Sequence, residues 1–327
     1  MSRELVIVII LALCFELING MRDSSNIVAT MISSRAFRPQ AALGITAITE
    51  FVAPMLFGVT VAKTIGDDIV ASQSLSLQAL AVGLVGAILW NLITWFFGIP
   101  SSSSHALIGG LVGITLVSSG MGAIKISGLQ KVLIALVTSP VVSFFAGYLI
   151  LKIIYFLVQN ASPGINIFFK RSQLVTAVAL AFSHGTNDAQ KTIGIITLSL
   201  VIGGNLSSFS IPFWVTVLSA GTMAIGTSLG GWRLIRTLGG KFYKIRPVHS
   251  FASQLTSGLV ILSASAVGLP VSTSQVVSSA IIGIGASERF GKVRWGVASD
   301  IVAAWLITIP ASGILSAGIY WLLVKFG

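Results

Sequence analysis

FSHGTNDAQKTIG, residues 182–194, lies between LVTAVALA and IITLSLVIG, and its reading decides the fold. A histidine, an asparagine, an aspartate, a glutamine and a lysine share a turn or two of an otherwise apolar segment. In hydrocarbon an unpaired charge costs several kcal/mol. The cluster therefore demands a partner, a cavity or a ligand.

The rest of the chain puts that segment in a membrane. Of 327 residues, 54% are hydrophobic and 9% charged, whereas a soluble domain carries roughly 25% charged residues to cover its surface. Apolar spans recur at about 5–18, 41–62, 77–99, 131–158, 173–203, 211–230, 250–269 and 296–324. Several are long enough to cross about 30 Å of lipid bilayer as helices. Two further stretches, near 103–119 and 274–286, are short and rich in serine or glycine. The fold class is an all-α polytopic membrane protein. The first span carries Glu16 and runs into NGMRDSSN rather than a small-residue cleavage site, so it is retained as part of the fold. The lone cysteine, Cys14, excludes an internal disulfide and a cysteine metal cluster, and is read as a packing residue. His105, His184 and His249 match no zinc pattern and no HExxH occurs; His184 and His105 are read as hydrogen-bonding residues of the polar clusters.

The formal net charge of +11 sits in short connections, which speaks to topology and not to nucleic acid. Arg233, Arg236, Lys241, Lys244 and Arg246 form a loop without acidic neighbours, which is expected to be cytoplasmic. Arg35 and Arg38 mark a second such turn, while Lys63 is balanced by Asp67 and Asp68 in a loop expected outside.

The opening motif has a counterpart. INGMRDSSN from Ile18 matches SHGTNDAQK from Ser183 at an offset of 165, and GIPSSSSHALIGGLVG from Gly98 matches GLPVSTSQVVSSAIIG from Gly268 at an offset of 170. Residues 1–160 and 172–327 then form two repeats joined by a short linker, 161–171. The charge bias of corresponding loops reverses, as in inverted-topology repeats. Gly20 and Gly185 are expected to break their helices, and the serine-rich segments after Pro100 and Pro270 have lengths suited to re-entrant hairpins.

Hydroxyls beside free N–H groups at a helix start bind an oxyanion without burying a permanent counter-charge. Ser101, Ser102, Ser103 and Ser104, with Ser272, Thr273 and Ser274, are the candidate anion ligands. Tight helix packing alone accounts for either segment; recurrence after a proline in both halves favours the anion. The repeat aligns Asp23 with Asp188, Arg22 with Asn187 and Asn26 with Lys191. Carboxylate, amide and hydroxyl oxygens suit sodium, so Asp23, Asn26, Asn187 and Asp188 are the candidate cation ligands. Glu50, isolated in ITAITEFVAP, is a further candidate. Gln190 and Lys191 serve either the anion or the scaffold, and an Asp188–Lys191 pair would by itself explain that half. Glu16 and Asp300 stay open between an ion role and a structural hydrogen bond. Moving an anion into a negative interior requires about 2.3 kcal/mol per charge per 100 mV, which makes co-transport with sodium or protons economical.

These residues resemble the inorganic phosphate transporter (Pit) family of sodium- or proton-coupled phosphate permeases. Its duplicated signature looks like NGMRDSSNIVAT at 19–30 and SHGTNDAQKTIG at 183–194, and its serine hairpins look like GIPSSSSHALIGG and GLPVSTSQVV. Glu50 and Lys63 fall where that family also carries an acid and a lysine. The resemblance implies symport of inorganic phosphate with sodium or protons by alternating access. It also implies a compact prokaryotic type, a homodimer in the inner (cytoplasmic) membrane, with no cofactor beyond the transported ions. Sulphate is the alternative substrate; because phosphate near neutral pH still has a proton to donate to a carboxylate, the close acids favour phosphate. A channel has no need of the alternating access that inverted repeats provide. Arg22 stands where the family often has Asn or His, which leaves the ion count open.

Overall fold

The computed structural model describes residues 2–99, 101–231 and 246–326. Pro100 and the basic cluster Arg233, Arg236, Lys241 and Lys244 lie outside the described residues. Among the described residues are eleven α-helices. Six are long and apolar enough to cross a membrane: Arg3–Ser33 (α1), Pro39–Phe57 (α2), Leu77–Phe96 (α4), Ile126–Leu157 (α6), Ile165–Ile202 (α7) and Trp295–Phe326 (α11). Between them stand Thr60–Gly66 (α3), Ser103–Ser119 (α5), Phe213–Leu229 (α8), Pro247–Ala266 (α9) and Thr273–Arg289 (α10). The protein is thus an all-α polytopic membrane protein. Helix α7 starts at Ile165, inside the stretch read as the linker.

Large apolar side chains such as Ile48, Leu56, Phe145 and Leu306 point outward, the surface that a bilayer and not water solvates. Cys14 belongs to that surface: it is exposed, which corrects its reading as a packing residue.

A second correction concerns the expected helix breaks. Helices α1 and α7 run unbroken through Gly20 and Gly185. The two glycines instead let helices approach closely. A Cβ on Gly185 would lie 2.8 Å from the Glu50 backbone of α2, and one on Gly20 would overlap the Met223 carbonyl of α8. The break falls at Gly58, whose φ of 97° separates α2 from α3. Gln190 of α7 tends that break. Its Oε1 accepts from the Val61 and Ala62 amides at 2.8 and 3.1 Å, and its Nε2 donates to the Gly58 carbonyl at 2.7 Å. The amide side chain thereby satisfies the orphan donors at the start of α3.

The serine segments sit at the turns of two helical hairpins, α4–α5 and α9–α10. Each first arm ends in the same way, on a left-handed glycine: Gly98 at φ 68° and Gly268 at φ 71°. Ile99 N donates to Thr94 O at 2.8 Å and Leu269 N to Ala264 O at 2.9 Å, the bond that closes a helix over a left-handed glycine. Ser102 and Ser272 then cap the second arms, accepting from His105 N at 3.2 Å and Gln275 N at 3.4 Å.

The hairpins begin at opposite ends of α1. Gln78, at the start of α4, donates to Glu4 near the start of α1 at 3.0 Å. At the far end Ser34 donates to Gln173 at 2.8 Å, and Gln173 donates to the Pro247 carbonyl, where α9 begins, at 3.3 Å. The two turns meet in the interior, where the Ser104 hydroxyl donates to Val271 O at 3.1 Å. Packing between the halves is reciprocal: α1 lies on α8 and α7 on α2, while α5 lies on α11 and α10 on α6. Small residues make this possible, since the backbones of Gly113 and Gly313 approach too closely to leave room for a Cβ on Gly113.

Candidate functional site

The interior where the turns meet is polar, and every side chain of its centre is buried. Helix α1 presents Glu16, Asn19, Arg22, Asp23 and Asn26; α7 presents His184, Asn187, Asp188, Gln190 and Lys191. Glu50 joins them from α2, fully buried.

Two contacts repeat across the halves. The Ser103 hydroxyl donates to Asp23 Oδ2 at 3.0 Å, and the Thr273 hydroxyl donates to Asp188 Oδ2 at 2.9 Å. Each long helix thus offers one carboxylate to the first turn of one hairpin's second arm. The first N–H groups of those arms, from Ser103 and Ser104 and from Thr273 and Ser274, have no carbonyl partner within their own helix. Both turns therefore present backbone donors as well as hydroxyls where they meet. Ser272 and Ser274 lie 3.2 Å apart through their hydroxyls.

The remaining aspartate oxygens differ. Asp23 Oδ1 accepts from the Asn26 amide at 3.1 Å, a neutral donor. Asp188 Oδ1 takes the Lys191 ammonium, which also donates to Ser104 Oγ at 2.5 Å and to Val271 O at 3.2 Å. Lys191 therefore ties α7 to both hairpins.

The turns are also pinned by non-equivalent groups. Arg22 donates to Ser101 Oγ at 2.9 Å and Ser101 O at 3.2 Å, and reaches Asn91 of α4. On the other side Asn187 donates to Ser265 Oγ at 2.9 Å and Leu269 O at 3.2 Å, and accepts from Val271 N at 3.2 Å. The amide of Asn187 is spent on the turn, as that of Gln190 is spent on α3.

His184 stands between two acids, with Nδ1 2.8 Å from Glu50 Oε1 and Nε2 3.1 Å from Asp188 Oδ2. The approach is oblique and gives no well-directed hydrogen bond. One ligand atom from each of Asp23, His184 and Asp188 lies within 4.8 Å of the others, so the carboxylates of both halves converge on one point. Thr227 donates to Glu50 Oε2 and Thr192 to Glu16 Oε2, both at 2.5 Å. Glu16 Oε1 and both polar atoms of Asn19 are buried without a hydrogen-bond partner.

Of the residues singled out in the sequence, Asp23, Asn26, Ser103, Ser104, Asp188, Lys191, Thr273 and Glu50 thus belong to one continuous cluster, and Ser101, Ser102, Ser272, Ser274 and Asn187 shape its two turns. Gln190 serves the adjoining break. Asp300 lies apart, exposed on α11. Lys63 is exposed too, and Asp67 pairs at 3.3 Å with Lys125 and not with it. Sequence reasoning missed Asn91, Thr192 and Thr227, and it left Asn19 and Glu16 unassigned. Asn91 carried a signal, a single amide in the apolar run LVGAILWNLITW; the two threonines carried none.

Comparison with known proteins gives concordant results. Residues 19–316 match the phosphate transporter family. A probable low-affinity inorganic phosphate transporter of Bacillus subtilis (strain 168) is 42% identical over 322 residues, covering 97% of this chain and 96% of that protein. One of the same description from Rhizobium meliloti (strain 1021) is 42% identical over 319 residues, with 97% and 96% covered. A solved structure described as the sodium-dependent phosphate transporter superposes with a TM-score of 0.90 at 24% identity, covering 100% of both chains.

Proposed function

The chain belongs to the phosphate transporter family, and from that premise we infer that it is a secondary transporter of inorganic phosphate driven by sodium. No enzymatic chemistry is assigned to it. The observation that carries this reading is the repeated hydroxyl–carboxylate contact, Ser103 to Asp23 and Thr273 to Asp188, at the meeting point of two hairpins.

In this reading residues 1–160 and 172–327 are inverted-topology repeats, and the α4–α5 and α9–α10 hairpins re-enter the bilayer from opposite faces. Phosphate binds between the turns, on Ser101 to Ser104 and Ser272 to Ser274 and on the free N–H groups of α5 and α10. A proton retained on phosphate is donated to Asp23 or Asp188, which sulphate is unable to match. Sodium is held on the Asp23 and Asn26 side, next to the point where Asp188 converges. Asn187 and Gln190 hold the turns, and Lys191 supplies fixed positive charge. In this reading one hairpin moves to let phosphate reach the buried centre, which is alternating access in structural terms. The protein is assigned to the inner (cytoplasmic) membrane, as a homodimer, with the Arg35–Arg38 turn and the basic stretch at about 233–246 inside.

A second reading, proton coupling, rests on the placement of His184 between Glu50 and Asp188. One assay separates the two. Purified protein in liposomes accumulates radiolabelled phosphate under an inward sodium gradient. Uptake that follows a proton gradient and ignores sodium overturns sodium coupling, and competition by sulphate but not by arsenate overturns the substrate. Single cysteines placed at Asp68 and Lys241, in protein lacking Cys14, should label from opposite faces.

A further inference from the structure

Helix α1 carries Glu16, Asn19, Asp23 and Asn26 at spacings of three and four residues, so the four share one face. The repeat puts His184, Asp188 and Lys191 at the equivalents of the last three on α7. The two faces have the same shape and opposite means of balancing charge. On α7 the aspartate is met by the Lys191 ammonium and flanked by the His184 ring. On α1 both flanking positions are neutral amides.

The neutral face is also unfinished. Glu16 is 0% and Asn19 1% exposed, yet Glu16 Oε1 and both Asn19 polar atoms lack partners. A buried amide or carboxylate oxygen left unpaired is costly, and such atoms persist where a ligand completes them. All three kinds of oxygen on this face, from Glu16, Asn19 and Asp23, are ligands for a small hard cation. Lys191 meanwhile has the surroundings such a cation would have, with oxygen from Asp188, from Ser104 and from the Val271 carbonyl.

We propose that α1 and α7 carry two equivalent cation positions, one open and one permanently filled. A transported sodium ion binds on α1 through Glu16, Asn19 and Asp23, and the tethered ammonium of Lys191 takes the place of a second ion on α7. The inference rests on the phosphate–sodium reading above and specifies which half loads the ion. It adds Glu16 and Asn19 as ligands and makes Lys191 the residue that sets how many ions accompany each phosphate.

The test measures radiolabelled sodium and phosphate fluxes together in proteoliposomes. Lys191→Asn should carry a further sodium ion per phosphate; an unchanged ratio overturns the tethered-cation role. Asn19→Leu, which keeps the volume and removes the oxygen, should raise the sodium concentration for half-maximal uptake at least about tenfold, the lower end of what losing even an outer-shell partner costs in metal affinity. A wild-type sodium curve overturns the α1 site. Should Lys191→Asn fail to transport, its thermal unfolding in detergent decides: sodium, compared with choline, should stabilise it more than it stabilises the wild type, and an equal shift overturns the proposal. Failure of that variant to fold leaves the decision to the Asn19→Leu curve. Wild-type uptake indifferent to sodium would refute the driving ion alone. Lys191→Asn should even then become sodium-responsive, and continued indifference overturns the inference.

Discussion

The first-half motif around Asp23 and the second-half motif around Asp188 occupy equivalent places and solve one problem in two ways. Both carboxylates accept a hydroxyl from a hairpin turn. Asp188 is then neutralised by a lysine three residues on, while Asp23 has only an amide there. At the turns the asymmetry is reversed: Arg22 holds one with a cation and Asn187 holds the other with an amide. The two turns are built alike, but the fixed charge around them differs, so the pair teaches that similarity of shape need not entail similarity of ion binding.

The largest effect that would break this comparison comes from removing the carboxylates. Asp188→Asn strands the Lys191 ammonium, and breaking a buried pair by deleting one partner costs about 3–5 kcal/mol. Asp23→Asn strands no cation and keeps an amide oxygen that can accept from Ser103, so it gives up only the charge-assisted part of its two hydrogen bonds, about 1 kcal/mol each. Thermal unfolding in detergent should therefore fall further for Asp188→Asn, and equal losses would show that Lys191 does not neutralise Asp188. Next come the paired glycines. Gly185→Ala and Gly20→Ala each drive a methyl into a neighbouring backbone, with an overpacking cost of about 1–3 kcal/mol. Similar losses of folded protein on size-exclusion chromatography would sharpen the structural half of the comparison, and a silent variant at either site would break it.

Smaller effects probe the turns. Ser103→Ala and Thr273→Val each delete one hydroxyl donor, worth about 1 kcal/mol, and should raise the phosphate concentration for half-maximal uptake by similar factors in transport assays. An effect confined to one of them would place phosphate against a single half. Smallest of all is Lys125→Gln. Its ion pair with Asp67 is largely solvated, and such pairs contribute under about 1 kcal/mol. Its melting temperature should stay close to that of the wild type.

How much of this was legible in the sequence follows from the range of the interactions involved. The spans and the two polar motifs were readable because apolar length and composition are local properties. The hairpin turns were as well, since a glycine, a proline and a serine recur in both. The breaks at Gly20 and Gly185 were misplaced because glycine in a buried helix keeps its backbone bonds and contributes closeness to a neighbour, which only the neighbour reveals. Gly58 lay unremarked in an apolar run, and its consequence depends on Gln190, 132 positions away. Thr227 with Glu50 and Arg22 with Asn91 are likewise contacts between distant segments that no spacing encodes. Charge could be counted from the sequence, but who neutralises whom had to be seen.

The reciprocal packing of α5 on α11 and α10 on α6 bears on how the chain is made. While the ribosome has delivered only the first half, α5 lacks the helix it lies against, and Asp23 and Glu50 lack the shelter of α7. The early helices must wait in the translocation machinery or at the bilayer surface with their polar faces unsealed. The first half is covered at α5 only once α11 packs against it. Loss of α11 should thus uncover α5 of the first half as well as the neighbours of α11 in its own.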